Sequence, residues 1–379
     1  MIAFAKYGFT ACLSLLLLSC KTSSGNGKTT SSVTEKTETD PAFCRMLMPD
    51  GTWGVTGADG CISIAMSGGR CLFLWGDAFV GTAEEGKRGE GTAFVTGNTF
   101  TVVDAKGRVR TLHGGTEAHP RAFLPADGGE KGDVWYWPGH GFEAGGVLHL
   151  FMSSYRRTGN GVFGFEYAGC DYFRLDAETF RVIDKTPLDA SRKNGVHYGY
   201  AVLPCGKEIY VYGSLMDASG RASLHVAKAV LEDKRLSHFT YWDGARWQSD
   251  PCKTRPAEGI RINVSEQFSV FRLKGKIVFL SQERTVGARE IYTYTADRPQ
   301  GPFGGEQLIY TVNEPRSEED RLFTYNAMAH PAWLRDGRLP VSYCVNSFDF
   351  AKVCNDACLY RPRFVWIPLN AIFREKLHK

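Results

Sequence analysis

Beyond its first twenty residues the chain has no second apolar run long enough to cross a bilayer as a helix. It has little charge imbalance. Lys and Arg number 45 against 41 Asp and Glu, a net +4, so nothing argues for nucleic acid or an anionic surface as partner. No helical period of useful length appears. Neither a Gly-x-Ser-x-Gly elbow nor a His-Glu-x-x-His run is present, which removes the usual serine-hydrolase and zinc-protease signatures. Gly139-His140-Gly141 is followed by no helix, so it is no phosphate loop. What the chain does have is 42 glycines and 13% aromatics, a turn-rich β composition.

The N-terminus reads as a targeting segment. Lys6 precedes an apolar stretch, Tyr7 to Leu18, too short to span as a mature helix. Leu17-Leu18-Ser19-Cys20 resembles a bacterial lipoprotein cleavage box. The expectation is therefore a signal peptide over 1–19, lipid on Cys20, and a Ser/Thr-rich tether over 20–41 that cannot bury enough surface to fold. Lys21 follows the cysteine, and by resemblance to known lipoproteins this favours the outer membrane or cell envelope. Nine cysteines remain after Cys12 and Cys20. The compartment implied is oxidising, so disulfides are expected. Cys354 and Cys358 are close enough to pair, and Cys61 and Cys71 are expected to face each other across a hairpin. No metal site is assigned.

The stretch around which the rest is arranged is Gly57–Ala78. Asp59 opens a strand in which Ile62, Ile64 and Met66 alternate with small residues. Ser67-Gly68-Gly69-Arg70 makes the turn. Cys71 to Trp75 returns as a buried apolar strand ending in Gly76-Asp77. An antiparallel hairpin brings its open ends together, so Asp59 and Asp77 should be neighbours.

The hairpin recurs at Gly146–Phe151, Gly206–Tyr212, Lys274–Leu280 and Asp336–Tyr343, about 60 to 75 residues apart. Four-stranded units at such a period predict an all-β fold, a five-bladed β-propeller over 42–379. Phe364–Ile367, or the segment near Trp53, is expected to close the ring. The innermost strand of each blade points one end into a shared funnel. The funnel residues expected are Asp59, His140, Glu143, His197, Tyr198, Glu266, Asn326 and His330, with Trp75, Trp135 and Trp137 as further candidates for stacking on sugar rings. A tryptophan in a propeller is more often core.

Gly57-Ala58-Asp59-Gly60, followed after the hairpin by Trp75-Gly76-Asp77-Ala78-Phe79, resembles the opening of five-bladed propeller glycoside hydrolases. These are bacterial domains related to the endo-D-arabinanases. Trp137-Pro138-Gly139-His140-Gly141, Tyr325 to Pro331 and Tyr360-Arg361-Pro362-Arg363-Phe364 resemble stretches within one branch of that group. The resemblance covers nearly all of the chain after Phe43. It implies that Asp59 and Asp77 are the catalytic carboxylates, although Asp59-Gly60-Cys61 departs from the group's usual Asp-Leu-Gly.

The residues fit that chemistry. Glycoside cleavage needs one protonated and one ionised carboxyl. Two acids close together in a partly dry site push their pKa values apart. Asp77, after the apolar strand, is expected to be the acid and Asp59 the base or nucleophile, with Glu266 and Glu143 as rival acids. Arg361 or Arg363 could orient a carboxylate or read an acidic sugar. No cofactor is expected, and the one ion the reading leaves room for is a structural calcium or similar ion in the funnel, near His330. The function expected is a lipid-anchored, monomeric hydrolase of arabinofuranosidic polysaccharide. The alternatives are a glycan-binding propeller without catalysis and an outer-membrane protein-interaction propeller.

Overall fold

The computed structural model describes residues 39–127, 133–159, 164–285 and 287–373. The expected signal peptide and Cys20 lie outside them. Five antiparallel sheets follow one another along the chain. The first blade is Ile62–Met66, Arg70–Trp75, Thr99–Val103 and Val109–Leu112; the second is Val134–Ala144, Val147–Arg157, Phe165–Asp176 and Val182–Pro187. The third runs from His197–Cys205 through Glu208–Met216, Ala222–Glu232 and Arg235–Trp242 to a short fifth strand, Trp247–Gln248. The fourth is Ser269–Leu273, Lys276–Gln282, Glu290–Ala296 and Gly304–Thr311. The last has three strands, Leu322–Ala329, Arg338–Ser347 and Arg363–Pro368. The fold is the five-bladed propeller expected from the repeat.

The last blade is completed from the other end of the chain. Thr39 pairs antiparallel with Val365, and the Asp40 amide donates to the Phe364 carbonyl at 2.6 Å. Trp366 Nε1 donates to the Asp40 carboxylate at 2.8 Å. Asp40 also caps the helix Pro41–Leu47, whose Phe43 stacks on Phe364 at 4.3 Å. Closure therefore uses the expected Phe364–Ile367 strand, but its partner is Thr39 and not the Trp53 segment. Trp53 packs against His113 instead.

Apolar side chains fill the spaces between neighbouring blades. Ile64, Leu72, Leu74 and Phe100 of the first meet Leu148, Leu150, Met152 and Phe173 of the second. Each such side chain contributes about 1.5–3 kcal/mol on burial. Polar side chains tie the blades together near the axis. His140 accepts from the Val202 amide at Nδ1 (3.1 Å), so its Nε2 carries the proton that faces the Ser63 carbonyl at 3.3 Å. Gln267 donates to the Pro138 carbonyl at 3.1 Å. Asn326 donates to Gln267 Oε1 at 3.1 Å. The two ring nitrogens of His330 lie 2.8 Å from the Ser63 hydroxyl and 2.9 Å from that of Ser342. At Gly199 (φ +100°) a Cβ would lie 2.4 Å from Phe151 Cβ, so only glycine allows the second and third blades to approach this closely.

A feature the hairpin pattern did not announce positions the site. The strands of the opening hairpin continue past the aspartates into a second sheet, Gly54–Ala58, Ala78–Gly81 and Ala93–Val95. Register runs Ile62↔Leu74 on one side and Ala58↔Ala78 on the other. Between them Gly60 (φ +90°) and Cys61 (φ +49°) crease the chain. Asp59 therefore lies in a crease between two strands and does not open one.

Among the described residues the cysteines form no disulfide, and the expected Cys354–Cys358 pair is absent. All nine described cysteines are free. Cys71 stands opposite Ala65, and Cys61 precedes the paired strand, so the two do not face each other in register. Cys71 instead accepts from Trp333 Nε1 at 3.3 Å.

Candidate active site

The crease brings Asp59 and Asp77 together. The Gly76 amide donates to the Asp59 carbonyl at 2.9 Å. A Cβ on Gly76 would lie 2.3 Å from Asp59 Oδ1, so glycine is required beside this carboxyl. Both aspartates are half-buried: protein encloses them on most sides, yet they remain open to solvent. Their partners differ. Asp59 Oδ2 accepts a hydrogen bond from the Tyr325 hydroxyl at 2.7 Å. Asp77 Oδ1 accepts two, from the Gly97 amide and from Trp137 Nε1, each at 2.8 Å.

Those partners separate the two acids electrically. Burial, then the charge of Asp77, pushes the Asp59 carboxyl up to about 7, against the pull of the Tyr325 and Tyr360 hydroxyls. Burial also raises Asp77, but Trp137, the Gly97 amide and the Arg157 charge all favour its ionised form. The pair therefore holds one proton up to about pH 7, with Asp77 ionising first and Asp59 retaining the proton.

Glu266 lies across an aromatic bridge from this pair. Trp137, which donates to Asp77, packs on Tyr155 at 4.4 Å between ring centres. The Tyr155 hydroxyl reaches Glu266 at 3.4 Å, and that of Tyr200 donates to it at 2.8 Å. Glu266 also pairs with His197 Nδ1, and with Arg284 at 2.7 Å. Burial opposes its ionisation, yet the His197 and Arg284 charges hold its carboxyl far below the usual range. Tyr167 stacks on His197 at 3.5 Å. Asn326 holds the Glu266 loop, accepting from the Ser265 hydroxyl at 3.0 Å.

Of the residues expected in the funnel, the structure gathers Asp59, Asp77, Trp137, His197, Glu266 and Asn326. Trp135 is buried behind Trp137 at 5.7 Å, and the others lie elsewhere. Trp75 is fully buried in the first blade, its Nε1 bonded to Thr101 at 2.9 Å. Tyr198 is fully buried within the third blade, near Tyr241. Glu143 accepts from the Ser67 amide at 2.9 Å, so it sits at the turn of the opening hairpin, the end away from Asp59. His140 and His330 tie blades together, and burial pushes them down to about 4 and about 3, which keeps both neutral. Arg361 donates to the Thr56 carbonyl at 2.8 Å and pairs with Asp50; Arg363 pairs with Glu314 at 3.0 Å. Neither arginine faces the carboxylate pair as a free donor. Among the described residues no group of three or more His, Cys, Asp or Glu is arranged to hold a metal ion.

Sequence reasoning missed Tyr200, Tyr155, Arg284 and Tyr360, and gave Tyr325 no role of its own. The signal for Tyr200 was weak but present: Tyr198 and Tyr200 share a strand, and only the backbone irregularity between them decides which faces the site.

Residues 47–369 match the sequence profile of a family described as Domain of unknown function (DUF5005). The chain belongs to this family. All of the site residues above fall within the DUF5005 match. No curated protein matches the chain. Among solved structures, a Bacteroides ovatus protein classed provisionally as a hydrolase superposes with a TM-score of 0.70 at 17% identity, covering 87% of this chain and 89% of that one. This DUF5005 chain shares its fold with that protein across nearly the whole domain. The solved structures also include a β-xylosidase (TM-score 0.48, 11% identity, 84% of this chain and 94% of that one) and an α-L-arabinofuranosidase from Podospora anserina with cellotriose (TM-score 0.44, 10% identity, 85% and 94%).

Proposed function

We propose that this protein is a glycoside hydrolase in which Asp59 is the general acid and Asp77 the carboxylate that attacks the sugar or activates water. The observation that carries this reading is the unequal pair: two adjacent half-buried carboxyls, one raised to about 7 and one supplied with two N–H donors. Protonated Asp59 donates to the leaving oxygen, and ionised Asp77 works at the anomeric carbon. This reverses the roles expected from sequence. The apolar strand before Asp77 suggested the drier site, but burial raises both acids, and the charge of Asp77 raises Asp59 further.

Glu266 is assigned a charged, positioning role, because an acid locked ionised between His197 and Arg284 has no proton to give. Trp137 and Tyr155 form the wall between it and the pair. The substrate class is a furanosidic, arabinan-like polysaccharide, supported by the resemblance of the Asp59 and Asp77 segments to endo-D-arabinanase-related hydrolases.

The test is product release from arabinans, arabinogalactans and other furanosides by the protein and by an Asp59→Asn, Asp77→Asn double variant. Cleavage by the parent with a loss of more than about 10³-fold in the variant is expected, since each general catalyst contributes roughly 10²–10⁴-fold. Binding without cleavage by both would make this a glycan-binding propeller with structural aspartates. The N-terminal sequence supports work at the envelope, with Leu17-Leu18-Ser19-Cys20 directing lipid to Cys20 and anchoring in the outer membrane. A Cys20→Ala variant should leave the membrane fraction; its retention there would contradict the anchor.

A further inference from the structure

The residues of the site continue outward into a strip of phenylalanines that nothing in the hydrolytic chemistry uses. Tyr325, which donates to Asp59, stacks on Phe323 at 5.4 Å, and Phe323 packs on Phe348 at 4.5 Å. Phe323 and Tyr325 are two apart on one strand and so share a face. Phe348 follows the neighbouring strand, where Asn346 stands opposite Phe323. A second line starts from Tyr360, the other hydroxyl beside Asp59. Tyr360 meets Phe79 at 6.0 Å, Phe79 meets Phe94 at 4.9 Å, and Phe94 meets Phe350 at 5.4 Å. Phe94 lies opposite Phe79 on the strand that leads into Gly97, the amide donor to Asp77.

The outer members are open to solvent. Phe94, Phe348 and Phe350 are 40%, 44% and 50% exposed. They are the exposed phenylalanines of the described residues; Phe94 packs on Phe350, and Phe348 stands two residues before Phe350. An isolated exposed phenylalanine needs no explanation, but three brought together, each joined through packed rings to a carboxylate of the pair, do. The burial of Leu322, Phe323 and their neighbours would be served by any apolar side chain. The flat rings held outward are not needed for it.

We infer that the rim formed by Phe323, Phe348, Phe350 and Phe94 is a binding subsite for the sugar rings of a polysaccharide next to the bond being cut. The inference rests on the hydrolase reading for its occupant and deepens it. A sugar ring presents a face of C–H groups, and an aromatic face covers that surface without asking for a directed hydrogen bond. Phenylalanine, with no polar tip, selects for ring shape and not for a particular hydroxyl. The occupant is a glycan chain because the half-buried Phe323 and Tyr325 make the rim continuous with Asp59, while the second line reaches the pair through the buried Phe79 and Tyr360. A chain held there presents its next glycosidic oxygen to Asp59.

The experiment uses the inactive Asp59→Asn, Asp77→Asn protein in native gels cast with linear arabinan, branched arabinan or arabinogalactan. The same protein carrying Phe348→Ala or Phe350→Ala runs beside it, and melting temperatures confirm that these surface changes leave the fold intact. Retardation by a furanoside polymer that weakens about tenfold in each phenylalanine variant is the expected result. Retardation unchanged by both variants overturns the subsite. So does a parent protein retarded by none of the polymers, or a dimer in sedimentation that Phe350→Ala dissolves, which would make the rim a contact between copies. Failure of the hydrolase reading looks different: retardation and its loss in the variants persist, while the active protein releases no product.

Discussion

Asp59 and Asp77 have the same neighbours in sequence terms, a glycine and a strand end, and differ in what reaches them from far away. Tyr325 comes from the last blade and Trp137 from the second. The two residues were legible as a pair because a hairpin forces its ends together. Their proposed roles were not legible, because they depend on burial and on groups 60 and 266 positions away. The raised value of Asp59 also has a consequence for stability. Its folded pKa, about 7, lies above its ordinary value of 3.8. The protonated form is thus the one the fold favours. That contribution is complete below the ordinary value and is lost as pH rises through about 7, a cost on the order of a few kcal/mol. Asparagine mimics the neutral form at every pH. Asp59→Asn should therefore raise the melting temperature relative to the parent by more at pH 8 than at pH 5, as followed by circular dichroism. An equal effect at both pH values would show that Asp59 does not carry the strain.

At the scale of strands, one irregularity recurs and explains most of the misplaced residues. Register shifts occur between Pro138 and Gly141, between Tyr198 and Ala201, and between Tyr325 and Met328, in the inner strands of the second, third and last blades. The residues left out of register are Gly139-His140, Gly199-Tyr200 and Asn326-Ala327. A bulge re-aims side chains and inverts the alternation beyond it. His140 thereby turns between blades, Tyr200 turns to Glu266, and Asn326, at φ +52°, turns to Gln267 and Ser265. Taking the start of each inner strand as its funnel end, without the bulges, put both His197 and Tyr198 in the funnel and set the second blade's site end too far along, at His140 and Glu143. That end is Trp137. No residue type marks a bulge reliably; Gly139 and Gly199 were visible only as glycines in a chain with many.

At the scale of the molecule the propeller was legible because the repeat is carried by glycine turns and apolar return strands, which local physics dictates. Ring closure was half legible. Phe364–Ile367 is a strand by its own composition, but its partner Thr39 sits in a polar stretch with no strand signal and is fixed by Trp366 and Phe43. The proposed catalytic pair and its donors come together only at this scale, since their hydrogen bonds span the first, second and last blades. The most direct test of it is the pH dependence of kcat/KM on the glycan that proves to be the substrate, in the parent and in Tyr325→Phe. Asp77 must be ionised and Asp59 protonated, so activity should rise from acid pH and fall through about 7. Tyr325 donates to ionised Asp59 and lowers its pKa, so Tyr325→Phe should move the falling limb to higher pH. A profile that stays level through neutral pH, or a falling limb that Tyr325→Phe leaves in place, would contradict the assignment of Asp59 as the acid.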